Sequence, residues 1–208
     1  MARSTPREHN HHDRGSTQPT RGRTARTRGC RRPRSHPRKE HTVTTSHVRR
    51  HLESFGWQGT ILEFEESSAT VELAAAQAGT EPRRIAKTLG FYDPENPAQA
   101  VLVVAAGDAK VNGGKFKREF GGKPRMLTGD DVLPLTGHPV GGVCPFAVAD
   151  GTKIMLDVSL QRFNTVFPAA GTARSAVELA IPELEAFSGA GGWVDVCTGW
   201  QNEESASE

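Results

Sequence analysis

The sequence predicts an α+β fold, a single domain with a central mixed, barrel-like β-sheet flanked by helices. Three observations predict it. Apolar residues recur at helical spacing just past residue 43, residues 99–106 form one continuous apolar run, and several short β-prone segments fill the second half. A basic segment, residues 1–42, precedes this body, and an acidic one, residues 201–208, follows it.

Each element has a local cause. Val48, Leu52 and Phe55 stand at i, i+4 and i+7, with Ser46 available as a cap and Gly56 as a stop, so an amphipathic helix opens the body. Residues 60–65 (TILEFE) read as a strand. An Ala-rich helix over 68–78 ends at Gly79, and residues 81–84 make a helical turn. Residues 85–91 (IAKTLGF) suit a strand interrupted by Lys87, and 99–106 (QAVLVVAA) a strand buried on both faces. Residues 110–120 then read as a helix and 129–133 as a short helical turn. Strands are predicted at 142–148, 153–160, 165–168 and 173–179, a proline-led helix at 182–187, and a closing strand at 193–197.

Charge divides the chain. Residues 1–42 carry 12 basic and 3 acidic side chains, a net +9, whereas residues 43–208 carry 14 and 21, a net −7. The basic segment has only Met1, Ala2, Ala25 and Cys30 from the apolar set. It cannot bury enough surface to offset ordering entropy and is expected to be disordered. It reads as an RNA-binding arm or as the product of a misplaced start, with translation beginning near Val43; His9, His11 and His12 within it are expected to be incidental. No run of about 18 apolar residues occurs, and no signal-like apolar stretch begins the chain, so neither a membrane segment nor secretion is expected. Cys30, Cys144 and Cys197 show no CxxC spacing that would suggest zinc or a redox pair, and a reducing cytoplasm fits.

Several residues could carry chemistry. Lys87 interrupts an apolar strand, where its ammonium either lines a cavity and meets an anion or reaches water at an edge. In residues 137–146 (GHPVGGVCPF), paired glycines permit close backbone approach, so N–H groups could be fixed toward a ligand oxygen; a plain turn is the alternative. Asp108 ends a buried strand and serves either a site or a turn. Asp157 alternates with apolar neighbours and either faces a site or bonds nearby backbone. Lys110, Lys115, Lys117, Arg118, Lys123 and Arg125 stand against Glu119 alone, a local +5 suited to phosphates. His138 and Cys144 lie six apart with no evident orienting acid, which argues against a thiol nucleophile.

Together, IAKTLGF around Lys87, GDAKVN from Gly107, GHPVGGVCPF from Gly137, and LDVSLQRFNTVFPAAGT followed by VEL resemble the YbaK/EbsC family, the editing domain associated with prolyl-tRNA synthetase. The resemblance covers about residues 45–197 and implies a deacylase of mischarged tRNA. The family's lysine falls on Lys87, implying contact with the terminal nucleotide. Its GxxxP element falls on Gly141, Gly142, Val143, Cys144 and Pro145, implying a loop that binds the ester carbonyl. Asp108, His138, Phe146 and Asp157 are further pocket candidates, and Lys110, Lys115, Lys117 and Arg118 the phosphate contacts. The implied partners are tRNA charged with a small wrong amino acid and a prolyl-tRNA synthetase, and no protein nucleophile, metal or other cofactor is implied. The competing expectation is a non-catalytic RNA-binding module of the same fold.

Overall fold

In the computed structural model, residues 43–201 are described, residue 69 excepted. The expectations about residues 1–42 and 202–208, including those for His9, His11, His12 and Cys30, lie outside the described residues. The opening helix α1 (Thr45–Ser54) buries Val48 and Leu52, and it starts two residues earlier than the Ser46 cap implied. Its N-cap is Thr44, whose N–H donates to His47 Nδ1 at 3.2 Å. After β1 (Ile61–Glu63) comes α2 (Val71–Ala78), where Thr70 Oγ1 accepts from Leu73 N–H and Gly79 closes the helix at φ 64°. A 3₁₀ turn at Pro82–Arg84 leads into β2 (Ile85–Tyr92), which pairs antiparallel with β3 (Ala100–Ala106).

β3 is the centre of the core. All seven of its residues are fully buried, as a continuous apolar run flanked by two strands should be. Full burial of each valine or leucine there contributes roughly 1.5–3 kcal/mol. The remaining elements are β4 (Lys110–Val111), α3 (Gly113–Phe120), α4 (Gly129–Thr136), β5 (Lys153–Asp157), β6 (Thr165–Pro168), β7 (Ser175–Val177), β8 (Leu179–Ala180), α5 (Ile181–Ser188), β9 (Trp193–Val194) and β10 (Cys197–Thr198). Six strands form a mixed sheet in the order β8-β6-β2-β3-β5-β9, while β1 pairs β7 and β4 pairs β10. The α+β class with a curled, mixed central sheet is therefore the observed one. Among the described residues, no helix is long and apolar enough to cross a membrane.

The strands predicted at 173–179 and 193–197 are each split between two partners, β7 pairing β1 and β8 pairing β6, β9 pairing β5 and β10 pairing β4, and four other segments depart from the sequence reading. Residues 142–148 form no strand but a turn-rich loop, because paired glycines and Pro145 disrupt ladder pairing. The predicted strand over 153–160 stops at Asp157, whose carboxylate caps a 3₁₀ turn at Val158–Arg162 by accepting from Ser159 N–H at 3.0 Å. The helix predicted from residue 110 begins at Gly113, since Asn112 Oδ1 accepts from Gly114 and Lys115 N–H and so caps it there. The helical turn expected at 129–133 runs on to Thr136 despite Pro134.

Candidate functional site

Strand β2 meets different partners along its outer edge. β6 pairs with it in parallel at Ile85 and Ala86 only. Farther on, residues 125–127 take over, with Leu127 N–H donating to Gly90 C=O at 3.0 Å and Tyr92 N–H to Arg125 C=O at 2.9 Å. Between these stretches a cavity of about 280 Å³ opens against Lys87, Thr88 and Leu89. Val71 and Ala74 of α2, Ile85, Phe167 of β6 and Ala176 of β7 supply apolar wall, the loop residues Gly141 and Val143 close one side, and Ser68, Thr70 and Ser175 add hydroxyls. Part of that wall is a small separate hydrophobic cluster of Ala74, Ala75, Ile85 and Phe167.

Lys87 is half-buried, and its Nζ donates to Gly107 C=O at 2.8 Å. Among the described residues no carboxylate pairs with it, so a partly desolvated ammonium keeps two donors unspent. Burial pulls its pKa below the ordinary 10.5, opposed by Cys197 and by Asp108. Burial pushes the Cys197 thiol up, so at neutral pH this thiol is uncharged and the Asp108 carboxylate is the anion that counts.

The loop owes its shape to its glycines. Gly142 N–H donates to Pro139 C=O at 3.0 Å, closing a β-turn whose third residue, Gly141, has φ 84°, where a side chain would be strained. Gly142 is packed so closely that a Cβ there would lie 2.8 Å from both Gly171 O and Thr172 Cα. The Gly142 amide is thus spent inside the turn, whereas the amides of Gly141 and Val143 have no bond among the described residues. Behind the loop, His138 is fully buried and its Nε2–H donates to Phe146 C=O at 2.9 Å, tying the two ends of the segment together. Burial lowers the His138 pKa from 6.5 to about 4 and raises that of the fully buried Cys144 to about 12. The Cys144 sulfur lies 3.8–3.9 Å from the His138 ring nitrogens, but neither group carries charge at neutral pH and neither lines the cavity.

The sequence candidates divide accordingly. Lys87, Gly141 and Val143 come together on the cavity wall, while Gly142, Cys144, Pro145 and Phe146 support it from behind without lining it. Both carboxylate oxygens of Asp108 accept from Arg162 Nη2, at 2.6 and 2.9 Å, and the Arg162 guanidinium lies over the Phe163 and Trp200 rings. Asp157 is fully buried and accepts from Ser159, Val196 and Cys197 N–H, so of its two readings the structure supports the backbone one. In the basic stretch, Lys115 bonds Asp195 at 2.7 Å and Cys197 C=O at 3.1 Å, while Lys110, Lys117 and Arg118 stand exposed. Sequence reasoning missed Thr88, Val71, Ala74, Phe167 and Ala176. Thr88 stood in the quoted strand motif beside Lys87, and the others look like ordinary core until the topology gathers them.

Comparison with known proteins bears on what this cavity is. A family model described as an aminoacyl-tRNA editing domain matches residues 65–187, which include every residue of the cavity wall. The chain belongs to this family. It is 49% identical over 154 residues to the uncharacterized protein YwhH of Bacillus subtilis (strain 168), covering 74% of this chain and 97% of that one. The crystal structure of a putative trans-editing enzyme for prolyl tRNA synthetase superposes with a TM-score of 0.67 at 31% identity, over 74% of this chain and 97% of its own. A second crystal structure, of a hypothetical protein, matches with a TM-score of 0.65 at 29% identity, over 73% and 99%. The resemblance to the YbaK/EbsC editing domains and the expectation of an editing function at this coarser level therefore stand.

Proposed function

We propose that the protein is a cytoplasmic hydrolase that deacylates mischarged tRNA in trans, acting on prolyl tRNA that carries a small wrong amino acid. One observation carries this reading: a half-buried lysine without a carboxylate partner among the described residues shares a 280 Å³ cavity with a glycine-shaped loop that has free amides. The Lys87 ammonium suits the terminal phosphodiester, an anion that restores the solvation its charge lost on burial. The amides of Gly141 and Val143 suit the ester carbonyl, where aligned donors are worth about 3 kcal/mol as the oxyanion develops.

No side-chain nucleophile is required. An aminoacyl ester is already activated, and holding a water and the neighbouring ribose hydroxyl against it draws on effective molarities of 10⁵ M or more. The protonated, buried Cys144 and the neutral His138 fit this division of labour, because they shape the loop instead of reacting. Exposed Lys110, Lys117 and Arg118 suit the acceptor-stem phosphates, and a prolyl-tRNA synthetase is the natural source of the substrate. The physical reason for a second hydrolytic site is that one methylene gives a synthetase pocket only about 1–3 kcal/mol of discrimination.

The test is a deacylation panel with purified protein and prolyl tRNA charged with alanine, serine, cysteine or proline. Turnover of a small wrong aminoacyl ester, with the prolyl ester spared, supports the reading. Binding of tRNA without turnover of any member would favour the non-catalytic module.

A further inference from the structure

The cavity contains a polar feature that the reading above does not use. Asp93 N–H donates to Gln99 C=O, and with the register Lys87↔Ala105 and Leu89↔Val103 this places the main-chain groups of odd-numbered β2 residues against β3. The even-numbered residues therefore present N–H and C=O to the opposite edge. There β6 serves Ala86, and residues 125–127 serve Gly90 and Tyr92. Thr88 falls in the gap. Its N–H and C=O have no partner among the described residues, and its Oγ1 is sealed from solvent without a hydrogen bond. Three unpaired polar groups on one residue of a cavity wall are an exception in a folded protein, where such groups are nearly always satisfied.

An unpaired strand edge is a template for an extended ligand. The cavity wall has no aspartate or glutamate, so a cation inside it can be satisfied only by carbonyl and hydroxyl oxygens. Each of the other wall hydroxyls already has a hydrogen bond, Ser68 Oγ donating to Ala173 C=O, Thr70 Oγ1 accepting from Leu73 N–H and Ser175 Oγ bonding Thr172, whereas Thr88 Oγ1 has none. Resting on the deacylase reading, we propose that the aminoacyl group fills this gap, its α-ammonium donating to the C=O of Thr88 and, once a χ1 rotation turns the hydroxyl into the cavity, to Oγ1, whose hydrogen-bonding capacity is unspent. Thr88 is then a substrate-positioning residue. It reads the free amino group that an aminoacyl ester has and an acylated or peptidyl one lacks.

The probe is a non-hydrolysable analogue, 3′-deoxy-3′-(L-alanylamino)adenosine, compared with its N-acetyl derivative by calorimetry. Thr88→Val is expected to weaken the alanyl analogue on the order of tenfold, the effect of losing one hydrogen bond to a charged group, and Thr88→Ser to restore it. The N-acetyl derivative should bind the wild type poorly and be indifferent to the substitution. The urea midpoint of Thr88→Val should not fall, since the hydroxyl removed had no partner. A Thr88→Val protein that binds the alanyl analogue as the wild type does overturns the inference, as does one whose binding and stability fall together. A wild type that hydrolyses no mischarged tRNA yet binds the alanyl analogue in this Thr88-dependent way would overturn the deacylase reading and leave this one standing.

Discussion

His138 offers a measurement of how firmly the candidate loop is held. The ring is fully buried, its one strong bond runs from Nε2–H to Phe146 C=O, and burial holds its pKa near 4 instead of 6.5. A histidine whose folded-state pKa lies below its unfolded value stabilises the fold above pH 6.5. That contribution is lost as pH falls from 6.5 toward 4, because the unfolded chain takes up the proton first. A displacement from 6.5 to about 4 corresponds to about 3 kcal/mol. Urea unfolding of the wild type and of His138→Asn, from pH 7.5 down to 4, isolates this amount as a difference between the two pH dependences, since the carboxylates titrate alike in both. The wild type should lose about 3 kcal/mol more than the variant across that window. Parallel curves would refute the reasoning and mean that the ring is hydrated or pairs with an anion.

Two further outcomes follow from the geometry. Gly142→Ala forces a Cβ to within 2.8 Å of backbone at Gly171 and Thr172, so the loop must move; kcat/KM for deacylation should fall about 10²-fold, the scale of a misplacement near 1 Å. Replacing Lys117 and Arg118 by alanine should raise KM with kcat unchanged. It should also lessen the slope of log KM against log salt by roughly 1.4, at about 0.7 per lost phosphate contact; a KM that does not move would place the tRNA elsewhere.

Much of this was legible in the residues. The run over 99–106 is apolar on both faces of the strand, and only a central strand in a covered sheet makes that pattern favourable. Lys87 was visible as a charge in an apolar strand, and Gly141 as one of a glycine pair. What the sequence left open was set by distant partners. Asp108 and Asp157 each looked equally suited to a site or to structure, and the choice was made by Arg162, 54 residues on, and by the amides of Val196 and Cys197. Gly142 looked like an amide donor for a ligand, yet Pro139 claims its N–H and Gly171 its Cβ space. Residues 142–148 had enough apolar residues for a strand, but the glycine pair and Pro145 disrupt the ladder pairing that would make one. Thr88 was invisible as a site residue because its meaning lies in where β6 stops pairing.

The central claim is that Lys87 supplies the cation of a hydrolytic editing cavity. The most direct measurement is single-turnover deacylation of proline-specific tRNA charged with alanine, by the wild type and by Lys87→Met. The variant keeps the aliphatic stem and removes a charge that burial disfavours, so the fold should lose no stability at neutral pH. The account predicts hydrolysis by the wild type and a loss of about 10²-fold or more in the variant, the scale of truncating a buried charge contact. A folded Lys87→Met protein that hydrolyses the ester at the wild-type rate would contradict it.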